Sequence, residues 1–237
     1  MKSNRIAGFL LAAGIGLGAG GADASIINLV TNGGFETGTF TGWSVASSNA
    51  DTDGCDKGWV VSTTGGATGC SSVANPFGRY AAYQSFDGTG PKTRTLSQNF
   101  VVPTLSTAEL DFYDSYAFNI VLGREIPRSF DVQLTSGGVT TNLYHFASPV
   151  GSNVNATPFG HINVDVSSVL LGLAGKAATL SFVTTIPENF SGPAGFALDN
   201  ISLNVDTTPP VHVPEPASLA LVGLGLAGLA ATRKRKV

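Results

Sequence analysis

Short runs in which apolar and polar residues alternate dominate the chain after residue 25. A period of two places successive side chains on opposite faces, so each run predicts a half-buried β-strand. Residues 26–30 form the first run; Gly42-Trp43-Ser44-Val45 and Gly58-Trp59-Val60-Val61 form two more, each introduced by glycine. Residues 79–86 and 94–102 follow, and Pro103 ends the latter because proline cannot donate to a ladder. Ala108, Leu110 and Phe112 then share one face, with Glu109, Asp111 and Tyr113 on the other. Phe130, Val132 and Leu134 alternate with Asp131, Gln133 and Thr135, and Ser136-Gly137-Gly138 predicts a hairpin turn into residues 140–146. Ile162, Val164 and Val166 make another strand, and Ala178, Leu180 and Phe182 the next. Residues 169–174 are the best candidate for a short helical turn, stopped by Gly175.

The last strand, residues 195–205, changes phase. Phe196 and Leu198 share one parity, whereas Ile201, Leu203 and Val205 share the other. A one-residue slip turns every later side chain to the opposite face unless a bulge absorbs it. Asp199-Asn200 is therefore either a bulge or a place where a polar side chain turns inward. Ten or so strands of this kind, without internal repeat or dividing segment, predict an all-β, antiparallel β-sandwich over residues 25–205, most simply a jelly roll. Residues 206–213, rich in threonine and proline, predict an extended linker.

The two ends have a different pattern. Lys2 and Arg5 precede an apolar stretch, residues 6–17, and Ala22-Asp23-Ala24 has the small-x-small spacing of a cleavage site. Residues 1–24 thus read as a signal peptide with Ser25 at the mature start; the alternative is an uncleaved anchor helix. At the other end, residues 217–232 are mostly Leu, Ala and Gly. As a helix they would reach roughly 24 Å, short of the ~30 Å hydrocarbon core, and Gly223, Gly225 and Gly228 weaken the helix further. Arg233, Lys234, Arg235 and Lys236 would keep the C-terminus in the cytoplasm. The pattern predicts a short transmembrane helix suited to temporary retention.

Between the two ends, residues 25–211 hold seven basic and fourteen acidic side chains, a net charge of −7. An acidic surface argues against nucleic acid as a partner, since phosphate binding needs a basic patch. The only cysteines, Cys55 and Cys70, span a Gly/Ser/Thr-rich loop. In an exported chain they predict a disulfide, worth roughly 3 kcal/mol through loop closure. Asp51, Asp53 and Asp56 stand at alternate spacing, like the start of a calcium loop. The closing glutamate is absent, which leaves a solvated acidic loop as the expectation.

Two resemblances add to this picture. Asn32-Gly33-Gly34-Phe35-Glu36-Thr37-Gly38, with Phe40 and Gly42-Trp43 behind it, resembles the opening of jelly-roll domains related to carbohydrate-binding modules. Ala197-Leu198-Asp199-Asn200-Ile201-Ser202-Leu203 resembles their closing strand. The resemblance implies that first and last strands lie side by side and that Glu36 and Asp199 are candidate ligands of a structural calcium ion. The competing reading has Asp199 accepting backbone N–H bonds in a capped bulge, with Glu36 in solvent. At the C-terminus, Val213-Pro214-Glu215-Pro216, the apolar run and the basic end together resemble the PEP-CTERM sorting signal. That resemblance implies recognition by an exosortase after export by the secretion machinery, and processing near Pro214, Glu215 and Pro216. It also implies a Gram-negative bacterium that makes exopolysaccharide, and a surface or extracellular destination.

Catalytic motifs are not apparent. No Gly-x-Ser-x-Gly or His-Glu-x-x-His occurs, and His145 and His161 fall in strand runs where a satisfied structural histidine is the simplest account. Trp43 belongs to the opening motif and is expected in the core. Tyr113 and Tyr116 flank Asp114 at a strand end, a candidate glycan-contacting lip. The expectation is a non-enzymatic surface or biofilm-matrix protein in contact with polysaccharide. A carbohydrate-binding module with a defined ligand is the alternative, and a polysaccharide-acting enzyme a more distant one.

Overall fold

The computed structural model describes residues 25–48, 56–63, 77–86, 90–118, 127–148, 157, 160–186, 193–207 and 226. The alternating runs become eleven strands: β1 (Ile26–Asn28), β2 (Ser44–Ser47), β3 (Lys57–Ser62), β4 (Ala81–Phe86), β5 (Lys92–Val101), β6 (Thr107–Phe118), β7 (Ser129–Ser136), β8 (Val139–Ala147), β9 (Gly160–Asp165), β10 (Ala177–Ile186) and β11 (Ala194–Asp206). One helical turn, α1 (Ser167–Leu171), sits two residues before the predicted position. One sheet runs β3-β4-β11-β6-β9, with β1 also on β11; the other runs β2-β5-β10-β7-β8. All pairings are antiparallel. This is the expected sandwich.

Side-chain parity decides what fills the space between the sheets. Leu110 and Phe112 of β6, Phe130, Val132 and Leu134 of β7, Leu180 and Phe182 of β10, and Phe196 and Leu198 of β11 are all buried in one core. Ring contacts run through it: Phe112 meets Phe182 edge-on at 5.5 Å, and Phe130 stacks on Phe196 at 6.1 Å. Trp43 is in this core as expected, its ring 6.1 Å from Phe182 and its indole N–H donating to the Asn32 carbonyl at 3.1 Å.

Strand β11 lies at the centre of its sheet and changes partner along its length. Residues 194–198 pair with β4, whereas residues 204–206 pair with β1. Between them the register against β6 shifts from Asp199 to Ser202, and Asn200 takes φ of +48°. Asparagine tolerates that left-handed conformation better than most residues. The phase slip is thus a bulge, which lets Phe196 and Leu198 on one side and Ile201, Leu203 and Val205 on the other all reach the same core. Asp199 shares the parity of Ala197 and lies on the outer side of the sheet, across from Tyr113; it does not turn inward.

The structure changes two expectations. Asp56 is not part of a solvated loop: it is 1% exposed and accepts from Lys92 Nζ and Arg94 Nη2, themselves 2% and 0% exposed. Lys92 and Arg94 share the inward parity of Leu96 on β5, so the strand brings two cations into the sandwich, where a carboxylate must meet them. The domain boundary also moves. Asp206 pairs with Ile26, and the Thr207 N–H donates to the Ser25 carbonyl at 3.0 Å, so the sandwich continues through residue 207. Among the described residues no helix is long and apolar enough to cross a membrane. The predicted signal peptide (Ala22, Ala24), Cys55, Cys70, Pro214–Pro216, the 217–232 helix apart from residue 226, and Arg233–Lys236 lie outside the described residues.

Candidate functional site

The opening motif folds back on the bulge of β11. The Ile201 N–H donates to the Gly33 carbonyl at 3.0 Å, and the approach is so close that a Cβ on Gly33 would lie 1.8 Å from the Ile201 oxygen. Asn32 holds the motif in its turn, donating from Nδ2 to the carbonyls of Thr39 and Thr41. Phe35 takes φ of +54°, a costly conformation for an aromatic residue, and is held there by complete burial against Phe40 and Trp43.

This docking brings Glu36 and Asp199 to the same place, as the resemblance implies. Both hold the segment that leads into β4. Asp199 accepts from the Phe77 N–H at 3.0 Å and the Asn200 N–H at 2.7 Å. Glu36 Oε1 accepts from the N–H groups of Arg79 (2.8 Å) and Tyr80 (3.1 Å), so it is not simply a solvated side chain. Gly78 makes that approach possible: a Cβ there would lie 2.0 Å from Glu36 Oε1. Gly34 leaves a cradle beside these groups, where an added Cβ would meet Asn200 Oδ1 at 3.2 Å and Asp199 Oδ1 at 3.8 Å. Burial raises the Asp199 carboxyl to about 6; the two N–H bonds oppose this, and the nearby Glu36 charge adds to it. Burial, together with the same Asp199 charge, pushes the Tyr83 hydroxyl upward. Two carboxylates and an amide oxygen around a small cradle are a donor set that suits a hard cation, although backbone N–H groups already engage both carboxylates.

Tyr113 and Tyr116 part company. Three positions apart on one strand, they face opposite sides of the sheet. Tyr113 lies on the outer face, stacked on His161 at 4.7 Å and edge-on to Phe77 at 4.5 Å, with Phe77 56% exposed. His161 Nε2 and Asn163 Nδ2 both meet Asp111 Oδ1 at 2.9 Å, which fixes that surface. His145 is likewise a strand histidine bound to a carboxylate, with Nδ1 2.7 Å from Asp131 Oδ1.

Tyr116 points between the sheets. With Asp114, Tyr144, Phe146, Thr157, Gly160 and Ile162 it lines an open slot of about 300 Å³ where β8 of one sheet faces β9 of the other. Thr157 is anchored over β6: its N–H donates to the Tyr116 carbonyl at 3.0 Å, and its Oγ1 accepts from the Tyr116 N–H. Tyr116 and Phe146 lie 4.7 Å apart, and Tyr144 closes against Phe112. Burial raises the Asp114 carboxyl to about 6 and, with the Asp114 charge, raises the Tyr144 hydroxyl. Sequence reasoning missed Asp114, Tyr144 and Phe146 as a group. The available signal was parity: Asp114 continues the inward series of Leu110 and Phe112, an unusual place for a carboxylate.

Residues 212–236 match the PEP-CTERM protein-sorting motif. The motif implies an exported, membrane-anchored precursor that exosortase processes. No curated protein matches the chain in sequence. Among solved structures the chain is similar to TmCBM61, seen in complex with β-1,4-galactotriose (17% identity, 75% of this chain, 97% of that one, TM-score 0.46). It is also similar to a cyclase from Fischerella sp. TAU (16%, 78% and 100%, TM-score 0.49). A third similar structure is the K3 cleaved adhesin domain of Lys-gingipain from Porphyromonas gingivalis W83 (14%, 75% and 97%, TM-score 0.46).

The raised Asp199 carboxyl makes a prediction about stability. The folded chain holds this proton more tightly than the unfolded chain, so stability falls as pH rises from the ordinary value of 3.8 to about 6 and is level above. In chelator, wild type should lose about 2 kcal/mol across that window relative to Asp199→Asn, read from urea midpoints. Parallel pH curves for the two proteins would show that the carboxyl is not strained by burial.

Proposed function

We propose that this chain is a non-enzymatic surface or extracellular-matrix protein of an exopolysaccharide-producing Gram-negative bacterium, and that its sandwich contacts polysaccharide through the slot between β8 and β9. The slot carries the reading. Sugar rings present apolar faces to aromatic walls and hydroxyls to polar groups, and the slot offers Tyr116, Tyr144 and Phe146 beside the Asp114 carboxyl and Thr157. Glycoside hydrolysis by paired carboxylates takes two such groups flanking one bond. Asp114 is the one carboxylate lining the slot among the described residues, which favours binding over turnover. The sorting motif supports the destination: the signal peptide exports the sandwich, the tail holds it at the membrane, and exosortase processing near Pro214-Glu215-Pro216 passes it outward.

A structural calcium ion belongs to the same reading. Glu36 and Asp199 would hold it, with Asn200 Oδ1 at the cradle over Gly34. Bound there, the ion would supply the positive charge that two neighbouring carboxylates lack and tie the opening loop to the closing strand.

Three measurements test these statements. In gels containing the host exopolysaccharide, the full chain should be retarded, and Tyr116→Ala should weaken retardation about tenfold, the loss of one stacking face; unchanged mobility on every polysaccharide rejects the glycan contact. Millimolar Ca²⁺ should raise the unfolding midpoint of wild type, by about 2.7 kcal/mol at a hundredfold excess over Kd, and leave Glu36→Gln unmoved; no shift in wild type removes the ion. Replacing Pro214, Glu215 and Pro216 by alanine should leave a heavier, membrane-retained protein in the native host. An unchanged mature mass would contradict processing at that motif.

A further inference from the structure

The charge balance of the slot narrows its ligand. Asp114 stands at an inward position of β6, and its register partner on β9 is Gly160. A Cβ on Gly160 would lie 3.3 Å from Asp114 Oδ1, so the missing side chain leaves that face of the carboxylate open to the slot. The groups around Asp114 can be taken element by element among the described residues. From β6 itself comes Tyr116, from β8 Tyr144 and Phe146, and from β9 Gly160 and Ile162. Its neighbour on β11 is Leu198. None of these is cationic; Arg128, buried just before β7 and joined to Ser148 after β8, shares the inward parity of Phe130 but is not among the groups that shift the Asp114 carboxyl. The two nearest strand histidines face away, His161 bound to Asp111 and His145 to Asp131 on the outer surfaces.

A neutral sugar would hydrogen-bond to this carboxylate and leave its charge uncompensated beside aromatic rings. A cation would compensate the charge and also find ring faces at Tyr116, Tyr144 and Phe146. The acidic sandwich, net −7 over residues 25–211, favours the approach of positive ligands from a distance. We propose that the slot binds an organic ammonium group, as a deacetylated amino-sugar residue of a glycan presents it, with Asp114 as counter-charge and the three aromatic rings as walls. This rests on the slot being the glycan contact and adds the chemical class of the sugar. Burial sets the direction of pH dependence. Asp114 is raised to about 6, so binding weakens on acidification through that value, while the amine itself becomes more fully charged. A loss at low pH therefore reports the carboxyl and not the ligand.

Calorimetric titration of the full chain at pH 7 with a glucosamine tetramer, its N-acetylated counterpart and tetramethylammonium chloride tests this. The glucosamine tetramer should bind at least tenfold more tightly than the N-acetylated one. Asp114→Asn should erase that preference, and so should pH 5. Tyr116→Leu, which keeps apolar volume and removes the ring face, should weaken the glucosamine tetramer about tenfold and guards against misfolding of the Asp114 variant. Equal or tighter binding of the N-acetylated tetramer overturns the ammonium proposal and leaves the slot as a neutral-glycan site. Tetramethylammonium binding without either tetramer supports the ammonium chemistry and removes a glycan as its source. No binding of any probe overturns the ammonium proposal, while the glycan contact itself stands or falls with the gel retardation.

Discussion

The bulge at Asp199-Asn200 is the constraint on which the rest of the sandwich depends. Strand β11 has β6 along one side, but along the other it passes from β4 to β1. A straight strand with this sequence would expose either Phe196 and Leu198 or Ile201, Leu203 and Val205. One extra residue, with Asn200 at positive φ, resolves the conflict. The bulge also opens a gap in the ladder, and two loops fill it: the 32–36 turn docks through Gly33 on Ile201, and the 77–80 segment hangs on the carboxylates of Glu36 and Asp199. Burying Asp199 is the cost of this arrangement, and two N–H bonds offset part of it.

Much of this was legible before any coordinates. Alternation located every strand to within a few residues, and the phase slip marked the bulge. The opening and closing motifs pointed to the two segments that meet at Glu36 and Asp199, because glycines that permit backbone approach and an Asn that permits positive φ leave a trace in the sequence. What the sequence could not show was what each carboxylate would meet. Asp56 sits among Gly, Ser and Thr, so it reads as solvated until β5 is seen to send Lys92 and Arg94 inward. Tyr113 and Tyr116 look like one lip on a line of text, yet a three-residue spacing on a strand sends them to opposite faces. The slot was hidden for a related reason: its walls come from β6, β8 and β9, and only the topology brings β8 of one sheet opposite β9 of the other.

The two carboxyls raised by burial are maintained by different means. Asp199 is covered by its own chain and bound by backbone N–H groups, so its strain serves the joint between loops. Asp114 is left open by Gly160 and lined by aromatic rings. A half-buried carboxylate that packing could have replaced by an apolar side chain, but which faces an open slot instead, is what the proposed ligand contact rests on.

The position of the chain ends relates these sites to the tail. Ile26 pairs with Asp206, and Thr207 binds the Ser25 carbonyl, so both ends of the domain leave from one pole. On β6, Thr107 marks that pole, while Phe118 pairs with Ala194 near the other. Tyr116 lies opposite Phe196, ten positions up β11 from Asp206, which is roughly 30 Å at ~3.3 Å per residue. The sorting motif at 212–236 therefore begins a few residues beyond the pole far from the slot. Within the sandwich, the slot therefore lies at the pole opposite the one from which the chain runs on toward that motif. The motif at 212–236 includes none of the residues that form the bulge joint or line the slot, so sorting and the two sites rest on separate parts of the chain.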